Sequence, residues 1–237
     1  MTTILSWASY LWTGFVVTIE LSAVCSVLTI IVAALVAVAR THPWRSIRIV
    51  SNAYVEIFRS IPLLALLLFA YYGLGHIALS YGITAFWLGT AAITVSESSY
   101  LSEVYRAALQ SVPRGQQEAA ESLGLAWWRV VLAVIIPQAV IPSLPTTVNA
   151  IVGIVKNSAL ASLIAISEAT LVATLLVSNT FQPMGVYLTL TVMYLILLIP
   201  ISLIGKALEL KLGASGASRR QSRVWRRRAS ADLMPEV

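Results

Sequence analysis

Charge is scarce in this chain: Asp, Glu, Lys and Arg make up 11% of its 237 residues, against 58% apolar residues. A soluble domain carries about 25% charged residues, so an ordinary soluble fold is excluded and a membrane class is implied. Cysteine is almost absent. The lone Cys25 lies in an apolar stretch and cannot close an intrachain disulfide, and two histidines without a Cys/His cluster offer no metal site. The first twelve residues contain no Lys or Arg; they lack the basic start of a cleaved signal peptide, and the first helix is expected to be retained. No G-x-x-x-x-G-K-[ST] run is present, so no phosphate-binding P-loop is expected. No motif argues for a Ser/His/Asp set or a catalytic carboxylate pair, and His42 and His76 fall in separate loops. Catalysis by this chain is not expected. No internal repeat is found.

Long apolar runs are what the chain has instead. A spanning helix needs roughly 20 apolar residues, because the hydrocarbon core is about 30 Å thick and each residue rises about 1.5 Å. Five runs meet this, near 12–39, 50–73, 83–109, 130–155 and 185–208. The expected fold is an all-α integral membrane protein with five transmembrane helices. Charge placement tests the count. Arg40, Arg45, Arg48, Arg59, Arg106, Arg114 and Arg129, with the eight basic residues that follow or end the fifth run, all fall on one side of a five-span chain. Lys156 is the only basic residue assigned to the other side. By the positive-inside rule the amino terminus is outside and the carboxyl terminus cytoplasmic.

The segment from Gly115 to Pro137 reads GQQEAAESLGLAWWRVVLAVIIP. Its polar start is rich in helix formers, so a short helix outside the bilayer is expected within the loop 113–129. Ala120 and Gly124 stand at i and i+4, which suits close approach by another surface. Trp127 and Trp128 fall at the membrane interface before the fourth span. Glu118, Ala119, Ala120, Gly124 and Pro137 stand at the spacing E-A-A, three residues, G, and then I-x-L-P, with Val134 and Ile136 in place of Ile and Leu. On these residues the chain resembles the type I ABC importer permeases. Glu56-Ile-Phe-Arg59-Ser-Ile-Pro62, Tyr100-x-x-Glu103-x-x-Arg106, Gly115-Gln116, Pro137-Gln138 and Lys156-Asn157-Ser158-x-Leu160 narrow the resemblance to polar amino acid permeases of the histidine and glutamine type.

The resemblance covers about residues 10–210 and implies a transmembrane domain there, followed by a basic tail, 211–237. That tail is expected to be disordered; it serves as a topology anchor or holds anionic headgroups or a partner. The resemblance further implies a multi-pass protein of the bacterial plasma (inner) membrane that carries a polar amino acid by alternating access. Gly115, Gln116, Glu118, Ala119, Ala120 and Gly124 would form the coupling helix that docks on a cytoplasmic ABC ATPase dimer. The remaining implied partners are a second permease subunit, identical or paralogous, and an extracytoplasmic solute-binding protein. This chain would bind no cofactor, ATP and Mg belonging to the ATPase. An opine, a sulfur-containing amino acid or another small zwitterion is an alternative cargo; a channel or a membrane enzyme is the alternative of another class.

Ionisable groups inside spans are costly, so each is a functional candidate. Glu97, with Ser98 beside it, is a candidate to face the path and meet a substrate ammonium; an interhelical hydrogen bond is the competing role. Thr94, Ser98 and Leu101 are expected on one face with it. Pro137, Pro142 and Pro145 are expected to kink or partly unwind the fourth span, on which Asn149 is a further candidate for the substrate path. Lys156, with Asn157, could hold a substrate carboxylate or pair with Glu20 or Glu168. Glu56 with Arg59 and Glu103 with Arg106, each at i and i+3, are expected internal ion pairs.

Overall fold

The computed structural model describes the backbone of residues 2–231 and the side chains of residues 6–212, residue 79 excepted. Every regular element among these is helical. Helix α1 spans Thr2–Ala39, α2 Arg45–Ser60, α3 Leu63–Leu68 with a π turn at Phe69–Gly73, and α4 Gly75–Ser80. The long α5 spans Ala85–Ser111, α6 Arg114–Ser122, and α7 Trp127–Val130, followed by a π turn at Val131–Ile135. Helix α8 spans Ile136–Asn157 and tightens into a 3₁₀ turn at Ser158–Ile164; α9 spans Ala169–Thr180 and α10 Pro183–Ala231.

Three stretches are long and apolar enough to cross a membrane, Ser6–Ala39, Trp127–Ile164 and Pro183–Leu212. A fourth is reached only by joining Arg45–Ser60 to Leu63–Gly73 across a 100° bend. The sequence suggested one continuous helix there. Pro62 explains the break: its ring disfavours helical geometry at the preceding residue, and Ile61 is extended, with φ −93° and ψ 124°.

Helix α5 has the length of a span, about 40 Å at 1.5 Å per residue, but not the hydropathy of the other three. Its position explains why. Gly89, Thr90, Ile93, Thr94, Ser98, Ser99 and Ser102 are all buried, because α5 packs against α1, α2, α3 and α8 at the centre of the bundle. Most of its hydroxyls are satisfied locally: Ser99 donates to the Ser96 carbonyl at 2.6 Å and Ser102 to that of Ser99 at 2.9 Å, whereas the buried Thr94 Oγ1 has no partner among the described residues. A helix shielded by neighbours needs no apolar exterior.

The core is built where α1 crosses these elements. Leu21 and Cys25 meet Leu67, Ile93, Ile154 and Ile164 in one cluster, while Leu11 and Phe15 meet Ala173, Leu176 and Val186 in another. Gly14 permits the second contact, since a Cβ there would lie 2.7 Å from Val172 Cγ2 and 2.9 Å from the Glu168 carbonyl oxygen.

Two further elements differ in detail from what the sequence suggested. Helix α8 continues through Pro142 and Pro145. The irregular backbone precedes it instead, in the π turn before Pro137. The Pro137 ring would clash with the carbonyl four residues back, Ala133, and a widened turn relieves that conflict. The backbone of α10 is helical to Ala231, where an unstructured tail was expected from residue 211. Residues 217–231 hold no Gly or Pro to interrupt the ladder. The arginine side chains of this segment, and residues 232–237, lie outside the described residues.

Candidate functional site

Three groups of polar side chains stand out: the loop between α5 and α8, a cluster on Glu103, and a pair between α5 and α8. The first is the loop between α5 and α8. Helix α6 ends in a Schellman arrangement: Gly124 takes φ +76°, the Leu125 amide donates to the Ala120 carbonyl at 3.3 Å and the Gly124 amide to that of Glu121 at 2.9 Å. A left-handed terminus of this kind selects glycine and closes the helix without orphaned carbonyls. Gly124 therefore sets where α6 stops. Gly115, Gln116, Glu118, Ala119 and Glu121 are exposed. Ala120 is not: it is 6% exposed. Ala120 is on the side of α6 turned toward its own chain, where α6 contacts the π turn. Leu123 stands beside the helix at 81% exposure. Sequence reading passed over it because an isolated Leu has no pattern. Trp127 is held by the α1–α2 turn, its ring 4.5 Å from that of His42.

The second group gathers on Glu103. Arg40 at the end of α1 and Arg106 on α5 each reach its carboxylate at 2.9 Å, and Arg59 near the end of α2 at 3.5 Å. Arg40 also donates from Nε to Asn52 Oδ1 at 2.7 Å, and its buried Nη1 has no partner among the described residues. The Glu103–Arg106 pair is the one expected from the i,i+3 spacing. Arg59 departs from expectation: it pairs with Glu103 and lies over the Tyr100 ring at 5.3 Å, while Glu56 is exposed and forms no ion pair among the described residues. The third place on Glu103 is tolerated because Arg59 is 43% exposed and screened by solvent, and the Tyr100 ring helps to hold it. One carboxylate thereby ties α1, α2 and α5 together.

The third group lies between α5 and α8. Asn157 Nδ2 donates to Glu97 Oε1 at 2.7 Å, so two residues 60 positions apart and singled out separately share a hydrogen bond. Both are half-buried. The next residue, Ser158, is buried and accepts from Ser22 Oγ at 3.3 Å while donating to the Val155 carbonyl at 2.8 Å. Ser98 is fully buried and shares a 2.7 Å hydrogen bond with Tyr54 Oη; it braces α2 and does not line an open space beside Glu97. Asn149 and Lys156 are exposed. Lys156 forms no ion pair among the described residues, with Glu20 or with Glu168.

Glu168 is occupied elsewhere, in a network that sequence reading missed. It is 0% exposed, caps α9 by accepting from the Leu171 amide at 3.0 Å, and accepts from Thr18 and Tyr194 at 3.3 Å each. Its ligands come from α1, α9 and α10, and nothing in the local sequence marks that convergence. An N-cap Glu is also less usual than Asp, Ser or Thr.

These arrangements provide an exposed polar helix seated on the bundle, an ionic junction and a half-buried carboxylate–amide pair. No cluster of His, Cys, Asp and Glu able to hold a metal occurs among the described residues.

Comparison with known proteins points the same way. The family model described as binding-protein-dependent transport system inner membrane component matches residues 26–213. The probable glutamine ABC transporter permease protein GlnM of Bacillus subtilis (strain 168) is 34% identical over 202 residues, covering 85% of this chain and 93% of that protein. The arginine transport system permease protein ArtQ of the same organism is 26% identical over 199 residues, covering 84% and 90%. Among solved structures, an amino acid ABC transporter crystallised with histidines superposes with a TM-score of 0.77 at 28% identity, covering 89% of this chain and 97% of that one. The inward-facing MetNI methionine ABC transporter, at 20% identity and a TM-score of 0.71, shares the fold.

Proposed function

Because the chain belongs to the binding-protein-dependent transport system inner membrane components, we propose that it is the membrane-spanning permease subunit of an ABC importer carrying a polar amino acid such as glutamine, arginine or histidine. The single observation that carries this reading is the exposed α6 helix. Its Glu118-Ala119-Ala120 and Gly124 form a short polar element, closed at its carboxyl end by Gly124 and seated on the span bundle. It is built to transmit force and not to catalyse. The chain is the membrane component and not the ATPase; ATP and Mg are assigned to that partner, and substrate arrives from a binding protein.

The five-span topology is supported by α5, whose length suffices and whose polarity follows from its central position. With the α2–α3 pair taken as one broken span, all arginines outside the outer loops share one side. In the coupling step, the exposed Gly115, Gln116, Glu118 and Ala119 meet the ATPase. Ala120 and the π turn behind it pass the movement to α8, and the Glu103 junction keeps α1, α2 and α5 moving as one body. Binding and hydrolysis of ATP on the partner would shift inward- and outward-facing populations through this contact.

The Glu97–Asn157 pair is the candidate substrate contact. An amide oxygen and a carboxylate between two packed helices suit an ammonium group, with Asn157 holding Glu97 in place. A second permease chain, identical or paralogous, completes the path. An opine, a sulfur-containing amino acid or another zwitterion is the alternative cargo.

Uptake by proteoliposomes containing the permease, the ATPase and the binding protein, with a panel of labelled amino acids, tests the reading. ATP-dependent accumulation of one or a few polar amino acids is expected. Ion currents without ATP, or no amino acid uptake in an assembled complex, would overturn it. Glu118→Lys is expected to abolish uptake and the ATPase stimulation by binding protein while leaving the permease folded; unchanged coupling would remove α6 from that role.

A further inference from the structure

Two hollows meet at the end of the bundle that carries α6. A cavity of about 570 Å³ lies beneath α6 and is lined by Thr41, Gln110, Arg114, Gln117 and Trp127, among others. An apolar groove of about 310 Å³ runs from it along α1, α5 and α8, past Ile30, Ala34, Tyr105, Ala108, Val140 and Leu144. Leu109 lines both, and Ile135 of the cavity is followed in the chain by Ile136 of the groove. The change from polar to apolar lining is abrupt. In the groove the hydroxyls are consumed internally: Tyr105 and Thr147 share a hydrogen bond at 3.1 Å, and Ser143 donates to the Val140 carbonyl at 2.8 Å.

Charge at the cavity is one-sided. Arg114 forms no ion pair among the described residues, and neither Asp nor Glu lines either hollow. Gln110 accepts from Arg106 Nη1 at 2.8 Å through its carbonyl oxygen, which leaves its NH₂ as a donor. Gln117 is engaged with Glu121 at 2.8 Å through its NH₂. A guanidinium and an amide donor therefore face the cavity, and Trp127 stands at the boundary where indole rings prefer to lie. The cavity calls for an oxyanion and the groove for a hydrocarbon.

We propose that the cavity and groove together hold one anionic phospholipid, its phosphate against Arg114 and the Gln110 amide and an acyl chain along the groove. Basic pockets between helices on the cytoplasmic side suit such headgroups because that leaflet is negatively charged. The lipid lies between α6 and the ends of α1, α5 and α8. Its occupancy would stiffen the seat of α6 and so adjust how firmly ATPase movement reaches the spans.

The permease–ATPase complex, reconstituted in nanodiscs of phosphatidylcholine with or without phosphatidylglycerol and then released into detergent, tests this by native mass spectrometry. Wild type is expected to retain one phosphatidylglycerol per permease chain in preference to phosphatidylcholine. Arg114→Gln, on an exposed side chain, is expected to reduce retention about fivefold, the factor one basic residue contributes near an anionic surface. Ala34→Phe is expected to abolish retention by filling the groove. Equal retention of the two lipids, or retention unchanged in both variants, would overturn the proposal. So would displacement by inorganic phosphate that Ala34→Phe does not affect, which assigns the cavity to a free anion. Cross-linking of Ala34→Cys to a second permease chain would assign the groove to that chain and overturn it too. ATP-dependent uptake by wild type in either lipid is read separately, so failure of the lipid site leaves the transport reading standing.

Discussion

The Glu103 junction and the Glu168 network are built from the same kind of side chain and behave as opposites. Glu103 is a quarter exposed and has three arginines within 3.5 Å. Glu168 is fully buried, with two hydroxyls, one amide and no cation within hydrogen-bonding distance. The first holds helices by charge at an end of the bundle, where partial solvation tolerates the unequal count. The second holds them by dipoles inside it, where an arginine would cost more than it returned. Glu97, with one amide partner, is nearer the second kind but less buried. Fewer partners leave a carboxylate freer to meet something else.

Substitutions can break this comparison. Glu103→Ala should have the largest effect, leaving buried Arg40 without its counter-charge at a cost of about 3 kcal/mol, the low end for breaking a buried pair because Glu103 is partly solvated. Thermal unfolding of the detergent-solubilised complex measures it, and a loss below about 1 kcal/mol would show that the junction is ornamental to stability. Glu168→Ala should come next, at about 2 kcal/mol, since it removes a helix cap and strands the Tyr194 hydroxyl, while Thr18 keeps its bond to the Gly14 carbonyl. Glu168→Gln should recover part of that, because the network needs acceptors more than charge.

Glu97→Gln should move a different quantity. Uptake KM is expected to rise about tenfold, the loss of one charge-assisted contact, with stability altered by less than about 1 kcal/mol. Unchanged uptake kinetics would make the Glu97–Asn157 bond purely structural. Arg59→Gln should be smallest, at most about 0.5 kcal/mol, because its 3.5 Å pair is 43% exposed on the arginine side. A larger loss would mean that the cation–π contact with Tyr100 matters more than the ion pair.

The Gly115 to Pro137 loop was legible because its information is local. Helix formers, small residues at Ala120 and Gly124, and paired tryptophans lie next to one another, and reading them needs no distant residue; the left-handed turn at Gly124 emerged only from the structure. The Glu103–Arg106 pair was legible for the same reason, being one helical turn apart. Arg40 and Arg59 were not assigned to Glu103, because they approach it from other helices. The break at Pro62 was hidden inside an apolar run, where composition dominates and a single ring's effect on Ile61 is easily overlooked. Helix α9 was missed because twelve residues are too few to count as a span. Its burial depends on Gly14 allowing α1 to come close, which α9's own sequence cannot reveal.

By itself, then, the sequence determined the all-helical membrane class and singled out a short polar helix between α5 and α8, since hydropathy and backbone propensities are properties of short segments. The tertiary structure alone decided that Ala120 faces inward, that α5 can afford its serines, that Asn157 reaches Glu97, and that Lys156 stands apart from Glu168. Each of these depends on which helix lies beside which, and that is settled by packing the whole bundle at once.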